Sequence, residues 1–296
     1  MSVAAARRSG PADGLVTILA ASFLFGVMAV CVRAVSTEIP PAQVAFVRFA
    51  GALALLVGTA GRRALRPAAA PVRVLVLRGV FGGGAILLWF HGIRDAGAAL
   101  ATVLHSAYPV FAAFFAALLL GERVTPATAA ALALNLSGAA LVVGGELNLE
   151  TATTRGAFLS LAAAVLAGAA VTTARHLRAR ESATVVTTWF MLTGTAMSAP
   201  ALALGMPSLS ATTVAGLVGI VLTSTGAQWL LHEGLGTTTA ARASLAAATN
   251  IVVASFLEAL VLGARLSPRL LAGGGLMVTA VALVSRARGG SPPDVR

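Results

Sequence analysis

Long apolar runs alternate with short polar breaks from one end of the chain to the other. The runs lie at 14–35, 42–60, 72–93, 97–120, 126–145, 155–175, 182–204, 211–232, 238–262 and 268–286. Each approaches or exceeds the ~20 residues that carry an α-helix across a ~30 Å hydrocarbon core. The breaks, among them STEIPPAQ, GRRALRPAAAP, GERVTP and HEGLGTTT, hold the Pro, Gly and charge that end helices. The pattern predicts an all-α polytopic membrane protein of ten transmembrane helices.

The pattern repeats. HSAYPVFAAFFAALLLGERVTP at 105–126 runs in step with AATNIVVASFLEALVLGARLSP at 247–268, an offset of 142 positions. The same offset pairs Gly14 with Gly156, Gly26 with Gly168, Arg33 with Arg175, Gly84 with Gly226 and Gly92 with Gly234. Five helices per half is an odd number, so the second half enters the membrane from the opposite side. Such an inverted repeat is the architecture of alternating-access transporters. The expected organisation is a cytoplasmic tail at 1–13, a first five-helix repeat at 14–145, a periplasmic linker at 146–155, a second repeat at 156–286 and a cytoplasmic tail at 287–296.

Composition agrees: 58% of the 296 residues are hydrophobic and only 10% charged, too few charges to cover a water-facing surface. The net charge of +11 does not point to nucleic acid, because the arginines are spread between spans. All 21 basic residues are Arg. Thirteen of them, including Arg62, Arg63 and Arg66, fall in the loops and tails that share a side with both termini, against five on the other side. The positive-inside rule therefore places both termini in the cytoplasm. The start, MSVAAARRSGPADG, is expected to remain as a tail. Cys31 is alone and behaves as a small hydrophobe.

The segment from Tyr108 to Val143 resembles the signature of the drug/metabolite transporter superfamily in its EamA-type branch. The residues that carry the resemblance are Pro109, Gly121-Glu122 and Gly138. The second copy departs from it, with Gly263-Ala264 for Gly-Glu and Ile251 for the proline, while Glu258 matches a glutamate found in the ninth helix of many members. Among subtypes the chain is most similar to the YddG-type aromatic amino acid exporters. The resemblance implies export of small metabolites, often amino acids, across the inner (plasma) membrane.

Tyr108 lies roughly 16 Å into the fourth helix, and Asn250 is its counterpart from the other side. The pair is expected to meet near the midplane, where repeat-built transporters bind cargo. Pro109 lacks an N–H and so frees the carbonyl of His105. His105 and Tyr108, three apart, share a face with it. His91, Gln228, Trp189 and Trp89 are further candidate cavity residues, although Trp89 and Trp229 also fit an interfacial aromatic belt. Glu258 and Arg48 are candidates for gating or coupling. Glu258 either titrates or pairs with an arginine such as Arg48 or Arg33. Arg78 is expected near the inner end of its helix.

Few polar groups in an apolar cavity suit a small amphipathic molecule, most simply an aromatic or hydrophobic amino acid; lipophilic drugs or other small metabolites are the alternative cargo. The four histidines show no metal-binding spacing and no carboxylate pair stands mid-membrane, so no enzyme, metal or cofactor is expected. The expected partners are the small-molecule cargo and the lipid bilayer, with the chain acting as a monomer or homodimer.

Overall fold

A computed structural model describes residues 11–35, 38–143, 153–205, 209–262 and 267–286. The described residues form twelve α-helices and no strand. They are α1 (Pro11–Val35), α2 (Pro41–Ala60), α3 (Val72–Ala96), α4 (Ala98–His105), α5 (Tyr108–Leu120), α6 (Pro126–Val143), α7 (Thr154–Arg178), α8 (Ala183–Ser198), α9 (Ala211–Leu235), α10 (Ala240–Ala248), α11 (Asn250–Leu262) and α12 (Pro268–Arg286). Short 3-10 helices extend α2 (Gly61–Leu65) and α8 (Ala199–Leu204). The boundaries follow local chemistry. Pro41, Pro126 and Pro268 open helices where their missing N–H costs nothing. Thr153, Ser182, Ser210 and Thr239 cap α7, α8, α9 and α10 through their side-chain oxygens. Gly97 and Gly121, both at positive φ, end α3 and α5.

Eight segments are long and apolar enough to cross a bilayer, and Pro126–Val142 is a shorter apolar helix. α8 is 16 residues long and continues into its 3-10 turn. Phe158, Leu118 and Leu260 are about two-thirds exposed, as side chains facing hydrocarbon would be. Residues 1–10 of the expected N-terminal tail, the whole C-terminal tail, most of the 146–155 linker and the Gly263-Ala264 departure lie outside the described residues, while 11–13, expected in the tail, already belong to α1.

Two of the ten expected helices are broken. The run 97–120 divides into α4 and α5 at Ser106-Ala107, and the run 238–262 divides into α10 and α11 at Thr249. A proline explains the first break, since Pro109 offers no N–H to the preceding turn. The second has no proline. There the Thr249 hydroxyl turns back onto the Ala246 carbonyl at 2.7 Å, and Ser22 of α1 lies 2.8 Å from that hydroxyl.

The repeats pack by exchange. α1 crosses α9, and its counterpart α7 crosses α3; α6 crosses α12. The paired glycines of the sequence stand at these crossings. A Cβ at Gly156 would fall 2.6 Å from the Ala96 amide nitrogen, and one at Gly234 would fall 2.6 Å from the Gly14 carbonyl oxygen. Gly26 faces Val253 and Ala254 of α11, while its partner Gly168 faces Phe111 and Ala112 of α5. Backbone-to-backbone approach of this kind is how membrane helices gain packing energy where lipid is as apolar as a leucine core.

We call the end of the bundle from which α1 starts the near face and the opposite end the far face. At the far face, Glu38 accepts hydrogen bonds from the hydroxyls of Thr213 (2.5 Å) and Ser210 (3.2 Å) at the start of α9. At the near face, Glu181 accepts from the amides of Ala68, Ala69 and Ala70 at 3.0, 2.6 and 2.6 Å, just before α3. Each repeat thus clasps the third helix of the other. The Thr213 hydroxyl bond holds the Glu38 carboxyl below its usual range. For Glu181, desolvation pulls upward and the three amides together outweigh it, so its carboxyl also sits low.

The close crossings predict a sharp contrast within α12. Gly273→Leu would drive side-chain atoms into the Gly138 carbonyl, 2.5 Å from an ideal Cβ, whereas a Cβ at Gly275 meets nothing within 4 Å. The first substitution should lower stability by ~1–3 kcal/mol or more, while Gly275→Ala should be neutral in a melting assay of the detergent-purified protein. The clasp predicts a pH effect. Because the folded Glu181 carboxyl is depressed, its contribution is present above the unfolded value of about 4.3 and is lost as pH falls through the folded value. Wild type should therefore melt above Glu181→Gln at neutral pH, with the gap closing in acid.

Candidate functional site

The two helix breaks face one another across a cavity of about 460 Å³. Its walls come from α1 (Phe25, Met28), α2 (Arg48), α3 (Gly82, Ile86, Trp89), α4 and α5 (Thr102, His105, Tyr108), α7 (Ala170), α8 (Phe190), α9 (Gln228, Leu231) and α10 and α11 (Ala247, Asn250, Glu258). Both repeats contribute. The cavity reaches from Glu258, one turn inside the far end of α11, down to Gln228 and Leu231.

The sequence candidates divide. Arg48, Trp89, His105, Tyr108, Gln228, Asn250 and Glu258 all line the cavity. Three do not. Pro109 is buried at the start of α5 and shapes the break from behind. Trp189 donates its indole N–H to the Leu65 carbonyl at 3.2 Å, pinning α8 to the 3-10 extension of α2. His91 is exposed and its Nδ1 lies 2.8 Å from the Leu87 carbonyl of its own helix. The reason is angular: two residues beyond Trp89, His91 has rotated about 200° to the opposite side of α3.

Three aromatic rings form a column on one wall. Trp89 stacks on His105 with centroids 5.4 Å apart, and His105 stacks on Tyr108 at 5.7 Å. The Tyr108 hydroxyl donates to the Ser244 carbonyl of α10 at 2.9 Å, joining the two broken helices. On the other side, Phe49 and Phe190 meet edge to face at 5.4 Å. The Arg48 guanidinium lies 5.5 Å from the Phe49 ring centre and that of Arg78 lies 4.4 Å from Phe190, distances at which a cation is attracted to an aromatic face.

Arg78 was not legible as a core residue. It is buried, and its Nη2 lies 3.1 Å from His232 Nε2. Arginine only donates, so Nε2 accepts and the proton of a neutral His232 sits on Nδ1, 2.7 Å from the Thr187 hydroxyl. The Thr187 hydroxyl in turn donates to the Ala183 carbonyl. Gln228 also reaches His232 Nε2 at 3.2 Å. Gly82 makes room for this arginine, because a Cβ there would collide with Nη1 of Arg78 and with Phe190. The pairing Gln228-x-x-x-His232 on one helical face was the available signal; nothing in the sequence tied Arg78 to it.

Ion pairs guard both ends. At the far end Glu258 pairs with Arg33 at 3.5 Å, with 25% and 65% of their side chains exposed. Arg48 is not its partner. At the near end Arg175 pairs with Glu122 at 3.5 Å, both only 8% exposed. Glu122 also accepts the Ala240 amide at 2.9 Å and so caps α10 from the other repeat. Burial pushes the Glu122 carboxyl up, against the Ala240 N–H and Arg175. Arg33 and Arg175 are repeat mates, yet their partners stand at unrelated positions.

The EamA-like transporter family model matches residues 13–144 and again 154–286, the two halves found above. A pseudopaline exporter, CntI, of Pseudomonas aeruginosa is 31% identical over 191 residues, which is 64% of this chain and 66% of that one, just under two thirds of its length. A probable terminal-alkyne amino-acid exporter of Streptantibioticus cattleyicolor is 32% identical over 249 residues, covering 79% and 80%. A solved crystal structure superimposes with a TM-score of 0.80 over 94% of this chain and 97% of its own, at 21% identity, which is likeness of fold. With its duplicated domain, its apolar helices and a family match over nearly all of both halves, the chain is a multi-pass membrane protein of the EamA-like transporter family.

Proposed function

We propose that the protein exports small amphipathic, amino-acid-like metabolites across the inner membrane by alternating access, through ten spans with both termini in the cytoplasm. The observation that carries this reading is the matched pair of helix breaks flanking one cavity. Tyr108 and Asn250 begin α5 and α11, about 15 Å from the far and near ends respectively, so the cavity lies where a rocking of one repeat against the other would expose it to either side. The unequal ends support the same reading. The buried Glu122–Arg175 pair closes the near side, whereas the Arg33–Glu258 pair at the far side is partly solvated and opposes motion less. The stacked Trp89, His105 and Tyr108 offer flat apolar contact to an aromatic or hydrophobic side chain, and both relatives are named as exporters, one of them of a terminal-alkyne amino acid.

Purified protein in liposomes, given labelled amino acids with and without a pH gradient, tests the reading. Flux of at least one aromatic or hydrophobic amino acid is expected, and none across the panel would refute it. Asn250→Ala and His105→Ala should each cut that flux by about tenfold, ~1.4 kcal/mol, with normal membrane insertion, while His91→Ala should transport as wild type does. Pro109→Ala restores an N–H to the break and should slow turnover without changing expression. Wild-type turnover would reduce the break to a packing feature.

A further inference from the structure

Arg48, Trp89 and His105 come from three different helices and reach one level. Arg48 is two turns in from the start of α2, Trp89 two turns before the end of α3, and His105 two turns along α4. Each is therefore about 10 Å below the far face. All three line the cavity. Each also keeps a buried nitrogen with no hydrogen-bond partner in the protein: Nε of Arg48, Nε1 of Trp89 and Nδ1 of His105. Two of these are obligate donors. Buried polar atoms are nearly always satisfied, so three orphans converging on one cavity level mark a place where a ligand completes the hydrogen bonding.

The charge there has one sign. Arginine stays protonated in proteins, and a guanidinium at membrane depth calls for a counter-ion. Among the described residues neither Arg48 nor Arg78 has a carboxylate within ion-pair distance; the ion pairs join other residues. Glu258, the acidic cavity residue, is held by Arg33. Arg78 stands behind Gly82 and Phe190 with its own Nε and Nη1 unpartnered. Cation–π contact with Phe49 and Phe190 offsets only part of that cost.

We propose that the Arg48–Trp89–His105 level is a carboxylate site: the cargo's carboxylate accepts from Arg48 Nε–H and Trp89 Nε1–H, and its side chain lies along the His105–Tyr108 stack. Arg78 adds positive potential from beneath Gly82. This rests on the export reading for the identity of the cargo. It goes further in requiring an acid function, so amines and carboxamides of the same shape are poor ligands. It also accounts for the rarity of acidic groups in the cavity, which would occupy Arg48 themselves.

Thermal stabilisation of the full-length protein in detergent tests the site without transport. The probes are the twenty protein amino acids, L-phenylalaninamide, phenethylamine and benzoate. Carboxylates should stabilise the protein, and the amide and amine should bind at least about tenfold more weakly, as loss of a charge-assisted pair implies. Arg48→Gln should abolish that discrimination and Arg48→Lys should retain part of it. Trp89→Phe keeps an aromatic ring beside His105 while removing the N–H donor together with part of the indole, so it provides the same test if Arg48 variants do not fold; it should weaken acids more than amines. Equal binding of acid and amide, discrimination unchanged in Arg48→Gln or, where that variant does not fold, in Trp89→Phe, or no stabilisation by any carboxylate would overturn the site. Discrimination by benzoate without amino acid flux in liposomes would leave the site standing and overturn the amino acid reading instead.

Discussion

Backbone amides cannot go unpaired in hydrocarbon, and two helices of this protein interrupt their hydrogen-bonding midway. That constraint organises the rest. A break at Ser106-Ala107 is tolerable only inside the protein, where the Ser106 hydroxyl meets the Thr102 carbonyl and Tyr108 reaches across to Ser244. The break at Thr249 is likewise surrounded, with Ser22 supplied from α1. Two breaks that must both be enclosed, on helices related by the repeat, enclose a common space. The cavity is the consequence.

The enclosure is built by exchange between the repeats. α1 lies against α9 and α11, and α7 against α3 and α5, so neither half completes its packing alone. Glu38 and Glu181 repeat the theme at the two faces, each holding the start of the opposite repeat's third helix. Against this symmetry stand the arginines. Arg175 is neutralised in a buried pair that also caps α10, and Arg33 in a solvated pair at the cavity mouth. A buried pair contributes little net stability, but breaking it leaves an uncompensated charge. The two ends therefore differ in what it costs to break their ion pairs.

Inside the cavity, polar side chains from several helices stand among apolar ones. Phe190, Phe25 and the stacked column supply apolar area, while Arg48 and Trp89 present N–H groups without acceptors. An apolar pocket with a small number of placed polar groups is the usual form of a small-molecule site, and here the placement favours an anion over a neutral or cationic guest.

Much of this was determined by the sequence itself. Apolar runs of membrane length and the constant offset joining Gly14 to Gly156 and Gly92 to Gly234 are local or periodic properties, and they survive folding as helices and crossings. Tyr108, Asn250, His105 and Gln228 were legible as cavity residues because polar groups at membrane depth rarely face lipid. The remaining features came from contacts between distant helices. Tertiary packing broke α10 from α11 without a proline, because Ser22 of a distant helix supports the gap. It turned His91 outward while keeping Trp89 inward, a matter of rotation about one helix axis. It paired Glu258 with Arg33, and it buried Arg78 against His232, 154 positions away. Each of these depends on which side chains two helices bring within a few ångströms, and no spacing along a single strand of sequence encodes that distance.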